Sequence, residues 1–162
     1  MSRFQWAIPL IEISTAALRN FFAAEDTTLR AAAAEASTRA VSSAMLRHAA
    51  NEKLQESGSA ALWNIAASLG PRRLQMEPMV KDGLCAVTSA LARHPQNISV
   101  AKYALGTLWF VTLDRRHQQR AVGAGCVELV VGCLREFRES ALVVERGTHS
   151  QTSATSACCA FA

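Results

Sequence analysis

Aromatic residues are scarce in this chain: they make up 6% of its 162 residues, with a single tyrosine. A β-rich fold draws on aromatic and β-branched residues, so the shortage, set beside abundant alanine, favours close-packed helices. Charge is also sparse at 19%, below the roughly 25% of an ordinary soluble domain. That shortfall suits a piece whose ends are covered by more protein. No apolar run approaches the about 20 residues needed to span a bilayer, so no membrane segment is expected. Arg3 followed by Trp6–Ile11 and Ala23-Ala24 has the look of a signal peptide, but Glu12, Arg19 and Asn20 interrupt it.

The remaining absences concern chemistry. The five cysteines (Cys85, Cys126, Cys133, Cys158, Cys159) include no C-x-x-C pair, and their number is odd. They read as small buried hydrophobes in a reducing compartment, cytoplasmic or nuclear, rather than as a zinc or redox site. The net charge of +4 is spread out, with only the doublets Arg72-Arg73 and Arg115-Arg116, whereas a nucleic-acid binder gathers its cations on one face. Ser/His/Asp order, a glycine-rich phosphate loop and a supported carboxylate pair are all missing. The expectation is therefore a non-enzyme with no cofactor, no metal and no small-molecule substrate.

What is present is repetition. Ala40–His48 (AVSSAMLRH) returns as Ala86–His94 (AVTSALARH), 46 residues later. Leu62-Trp63 returns as Leu108-Trp109 at the same offset, and Ser14–Asn20 matches Gly58–Asn64 at an offset of 44. Self-similarity at 20–50 residues marks a stack of structural repeats. Within each copy the apolar spacing is helical: Leu10, Ser14, Leu18, then Leu54, Gly58, Leu62, then Val100, Ala104, Leu108. The middle rung is always small, which lets neighbouring helices approach closely. A second apolar helix follows each glycine, with Leu84, Val87, Leu91 after Gly83 and Val127, Val130, Leu134 after Gly125. Polar stretches at 72–82 and 115–124 supply a short helix and a turn at Gly83 or Gly125. About four extra residues between Trp63 and Gly83 form a loop containing Pro71 and Pro78. His48 and His94 end equivalent helices, where an imidazole can cap carbonyls.

The run Gln55–Ala66 (QESGSAALWNIA) followed by Met79–Leu84, and Tyr103–Val111 followed by Ala121–Cys126, resembles the armadillo repeat family. Phe110 stands where Asn64 would be repeated. The resemblance covers about Leu10 to Phe137. It implies an all-α, right-handed solenoid of three-helix repeats, with units at about 4–48, 49–94 and 95–137 within a domain spanning 1–137. The chain would open inside a third helix at about Phe4–Ala24. The tail at 138–162 is read as disordered or as opening a further repeat helix at Ser150–Ala162. Three units without polar caps suggest a fragment of a longer array, or ends covered by association.

The resemblance further implies a protein-interaction scaffold that holds an extended or helical partner segment on its concave face. Carried over position by position, that face takes Asn20 and Asn64, with Phe110 in the last unit. Helical spacing adds Lys53, Glu56 and Ser57 in one unit and Ser99, Lys102 and Tyr103 in the next. An Asn amide both donates and accepts, so it can hold a peptide backbone without reading side chains. Rival readings are a nuclear-transport adaptor and a regulatory array of a larger enzyme-containing protein. The adaptor reading lacks its groove tryptophans: Ala16, Ala60 and Gly106 stand four residues before Asn20, Asn64 and Phe110. Trp63 and Trp109 instead sit one residue before, turned by about 100° toward a seam between repeats.

Overall fold

The computed structural model describes residues 7–23, 27–69 and 77–159, with side chains omitted at 7, 10, 21–32 and 151–159. The fold is all-helical: 87% of it is helix, and no strand occurs among the described residues. Among the described residues eight α-helices follow one another: α1 (Ala7–Ala23), α2 (Thr27–Arg47), α3 (Glu52–Leu69), α4 (Leu84–Arg93), α5 (Ile98–Thr112), α6 (Arg115–Gly123), α7 (Cys126–Glu136) and α8 (Ala141–Cys159). Residues 4–6 and 24 of the expected first helix, and most of the loop containing Pro71, lie outside the described residues.

Local chemistry sets the boundaries. Asn51 and Asn97 occupy matching N-cap positions, accepting from Leu54 N at 3.0 Å and Val100 N at 2.9 Å. Asp114 does the same for α6, accepting from Arg116 N at 3.0 Å. The Ala-rich stretch of α2 runs unbroken for 21 residues, as the residue with the best helix propensity allows. Gly125 has φ +72° and makes the turn before α7, since a Cβ would strain that conformation.

Gly83 departs from the expected turn. Its φ of −62° and ψ of −46° are ordinary right-handed helix, and a π-helical turn at Met79–Gly83 runs straight into α4. The missing Cβ makes room for the Met79 sulfur, which would lie 2.8 Å from it. Pro78 immediately precedes that turn with φ −61°, the value its ring imposes.

The helices form two layers. The long helices α1, α3, α5 and α8 pack against one another in that order. Behind them α2 packs on α3 and α4, α4 packs on α5 and α7, and α7 packs on α8. The core between the layers is fully buried at Val41, Met45, Leu62, Ile65, Val87, Leu91, Leu105, Leu108 and Val130. Buried Gln55 fastens the two layers in the middle unit: its Nε2 donates to Met45 O (3.0 Å) and His48 O (3.1 Å) at the end of α2. Met45 O lies in the last turn of α2, where the amide supplies a donor, and His48 O accepts from Asn51 N at 2.9 Å as well as from Gln55.

The helix α8 begins at Ala141, nine residues before Ser150. Buried Val143 and Gly147 continue the ladder of Val100 and Ala104 at an offset of 43, so a fourth long helix joins the stack.

Candidate functional site

The long helices share one partly exposed face, and the residues singled out above lie along it. Asn20 is exposed at the far end of α1 and accepts from Arg19 Nε at 3.3 Å. Lys53 is exposed, while Ser57, Ser99, Lys102 and Tyr103 are half-buried. The Lys102 Nζ sits 4.8 Å from the centre of the Tyr103 ring. Ile13, on the same side of α1, is 67% exposed, the barest large hydrophobe described.

Two of the polar residues hold the stack together. Asn64 Nδ2 donates to Arg19 O of α1 at 2.8 Å, so the amide grips the backbone of its own neighbour. Glu56 Oε1 accepts from Asn97 Nδ2 at 2.7 Å, and Glu52 Oε1 accepts from the same amide at 2.7 Å. One unit earlier, Asn51 Nδ2 donates to Glu12 Oε1 at 2.7 Å. Each N-cap Asn thus uses its carbonyl on its own helix and its amide on the previous one. His94 also bridges units rather than capping its own helix: its ring Nε2 meets Ala49 O at 2.8 Å, and a carbonyl only accepts, so Nε2 carries the proton there.

The aromatic residues converge on α5. Trp63 lies over Gly106, where a Cβ would run into the indole ring. The Trp63 ring meets Phe110 at 5.0 Å between centroids, and Phe110 meets Trp109 at 5.6 Å. Trp109 in turn meets His149 of α8 at 5.0 Å. Both tryptophans therefore lean on the next long helix, as their place one residue before Asn64 and Phe110 predicts. From α8 the Arg146 guanidinium closes over Trp63 at 4.1 Å and donates from Nη1 to Lys102 O at 2.7 Å. Burial lowers the Arg146 pKa, offset by nearby Tyr103 and Glu145; the group stays charged. The result is a half-buried row of rings and one cation crossing α3, α5 and α8.

Arg146 and His149 escape a reading that treats 138–162 as a tail. The signal was the match of Val143 and Gly147 to Val100 and Ala104. Among the described residues no group of three or more His, Cys, Asp or Glu could hold a metal ion. The buried Cys126 and Cys133 thiols are pushed up to about 12 and about 11 by desolvation, which removes the nucleophilic thiolate. Cys85 is exposed, unlike the buried role expected of it. No described helix is long and apolar enough to cross a membrane. No family model matches the chain, and no curated protein or solved structure does either.

Proposed function

We propose that this chain is an armadillo-type solenoid segment acting as a protein-interaction module, capturing a partner segment on the face lined by α1, α3, α5 and α8. The observation that carries this reading is the half-buried row Trp63, Phe110, Trp109 and Arg146, with Tyr103 and Lys102 beside it. Trp, Tyr and Arg dominate interface hot spots because they offer large, stiff contact area with a polar handle.

The roles within the face divide accordingly. Asn64 and Glu56 act as struts, since their side chains already hold Arg19 O and Asn97. Tyr103, Phe110 and Trp109 supply the apolar contact, while Lys53, Lys102 and Ser99 supply the polar rim. Ile13 extends the apolar contact toward α1.

Selecting random 12-residue peptides displayed on phage against the immobilised chain tests the proposal. Selected binders should lose at least about tenfold in affinity against Tyr103→Ala or Trp109→Ala, the cost of one hot-spot side chain. Binders indifferent to both substitutions would place the capturing surface elsewhere.

A further inference from the structure

The cation on the aromatic row has rings and a carbonyl around it but no carboxylate paired to it. Ion pairs among the described residues join Arg39 to Glu35, Arg116 and His117 to Asp114, and Arg120 to Glu77. Arg146 and Lys102 take part in none of them. Glu145, the neighbour of Arg146 on α8, acts on its charge without forming an ion pair. Yet the guanidinium is half-buried, and a cation withdrawn from water is ordinarily met by an anion. Of the chain's 13 acidic side chains, only Glu25 and Asp26 fall outside those described. Both follow α1 directly in sequence, and in the stack α3 and α5 separate α1 from α8.

The fork of Arg146 is only partly used. Its central carbon lies 4.1 Å from the centre of the Trp63 ring, and Nη1 donates to Lys102 O at 2.7 Å. Gly106 permits that approach, since a Cβ there would sit 3.1 Å from Nη1. Nε and Nη2 donate to nothing among the described residues, and that edge of the fork matches the two oxygens of a carboxylate. Tyr103 holds in α5 the place that Arg146 holds in α8, 43 residues on, and it too acts on the Arg146 charge. Its hydroxyl makes no hydrogen bond among the described residues. The Lys102 Nζ, 4.8 Å from the centre of the Tyr103 ring, adds a second positive charge.

The other end of the face carries the opposite sign. Glu12, Glu52 and Glu56 on α1 and α3 accept from the amides of Asn51 and Asn97, neutral groups that leave the negative charges intact. An acidic side chain is therefore repelled near α1 and α3 and drawn toward α5 and α8. We propose, resting on the capture reading above, that the partner segment carries an Asp or Glu whose carboxylate seats on Arg146 and the Tyr103 hydroxyl. An apolar side chain beside it packs on Phe110 and Trp109. The rings bind with little regard to sequence, so the carboxylate seat fixes the register of the segment.

The probes are 12-residue peptides selected on phage against the full 162-residue chain at low salt. Among binders weakened by Tyr103→Ala or Trp109→Ala, an Asp or Glu should recur beside an apolar residue. Replacing that acid by Asn or Gln in the synthetic peptide should weaken binding at least about tenfold, the worth of a charged hydrogen-bonded pair. Against Arg146→Gln the acidic and amide peptides should bind alike, a coupling that a purely structural arginine would not produce. Tyr103→Phe keeps the ring and should shrink the acid preference about threefold without abolishing capture. Melting curves check that both variants fold. Binders that need Tyr103 or Trp109 but show no acid preference, or keep it in Arg146→Gln, overturn this proposal and leave the capture face standing. Binders indifferent to Tyr103 and Trp109 remove the capture face, and this seat with it. Loss of binding on amidating the peptide's C-terminus would assign the seat to a terminal carboxylate and overturn the choice of Asp or Glu. A sedimenting mass that rises with concentration, and stops rising in Arg146→Gln, would give the seat to a second copy and overturn the choice of partner.

Discussion

The seam between α1 and α3 and the seam between α3 and α5 hold equivalent places in the stack, yet different chemistry closes them. Both carry an Asn-to-Glu link from the later cap to the earlier helix, but in the first Asn64 also reaches back to Arg19 O. In the second, Phe110 replaces that Asn and the traffic reverses: Trp63 reaches forward over Gly106 onto Phe110, and Arg146 comes from the far side to meet it. An amide strut fixes spacing while burying little. A ring packed on a glycine buries far more area and brings an aromatic surface to the exposed face. The same register thus yields a polar strut at one end and a half-buried aromatic row at the other, and one residue difference, Asn64 against Phe110, marks the change.

The largest expected effect comes from filling the space that permits the second seam. Gly106→Val would drive a branched side chain into the Trp63 ring, costing about 3 kcal/mol, the upper range for overpacking. Thermal or urea unfolding of the variant measures this. Trp63→Ala should cost about 2 kcal/mol, less than a wholly enclosed indole because this one is half-buried. The double variant sharpens the comparison, because without the indole the valine has space. Its cost should fall well short of the two single costs added together. A strictly additive result would mean that the ring does not depend on Gly106 for its seat.

Breaking the polar seam should cost less. Asn64→Ala removes one hydrogen bond to a carbonyl, about 1 kcal/mol, and should leave the aromatic row intact by tryptophan fluorescence. Asn97→Ala should cost slightly more, about 1.5 kcal/mol, because it removes the α5 cap as well as the reach to Glu52 and Glu56. If Asn64→Ala proved as damaging as Trp63→Ala, the distinction between spacer and packed seam would collapse.

The repeat register was legible in the sequence because packing imposes it: small rungs at Gly58 and Ala104 must recur wherever helices approach closely. The direction of Trp63 and Trp109 was legible for the same reason, since one residue fixes an angle on a helix. Gly83 was not. Glycine marks a turn only where the backbone needs positive φ, as at Gly125; at Gly83 it makes space for Met79 within a helix, and composition cannot separate those uses. The particular partner of the Asn64 amide was also hidden, because Arg19 O is a backbone carbonyl on another helix. Arg146 went unseen for a different reason. Its helix follows a polar stretch at 135–140 that resembles the start of a tail, and only Val143 and Gly147 carry the ladder across it.

The smallest effect distinguishes the caps of the long helices from that of α6. Asn51 and Asn97 are neutral caps, so acid leaves the capping groups themselves unchanged. Asp114 is a charged cap, and the side-chain and backbone hydrogen bonds from Arg116 lower its carboxyl from 3.8 to about 2. A carboxyl depressed in the folded state stabilises folding above its unfolded value, and that contribution disappears as pH falls through the folded one. Stability should therefore lose a small increment between pH 3.8 and about 2, centred on α6 and followed by the amide signal of Arg116. In Asp114→Asn the cap oxygen remains and the charge is gone, so this pH-dependent increment should vanish while α6 persists. The Trp63–Phe110 contact should be indifferent to the substitution, because neither ring titrates. An equal acid loss in the variant would move the effect away from Asp114.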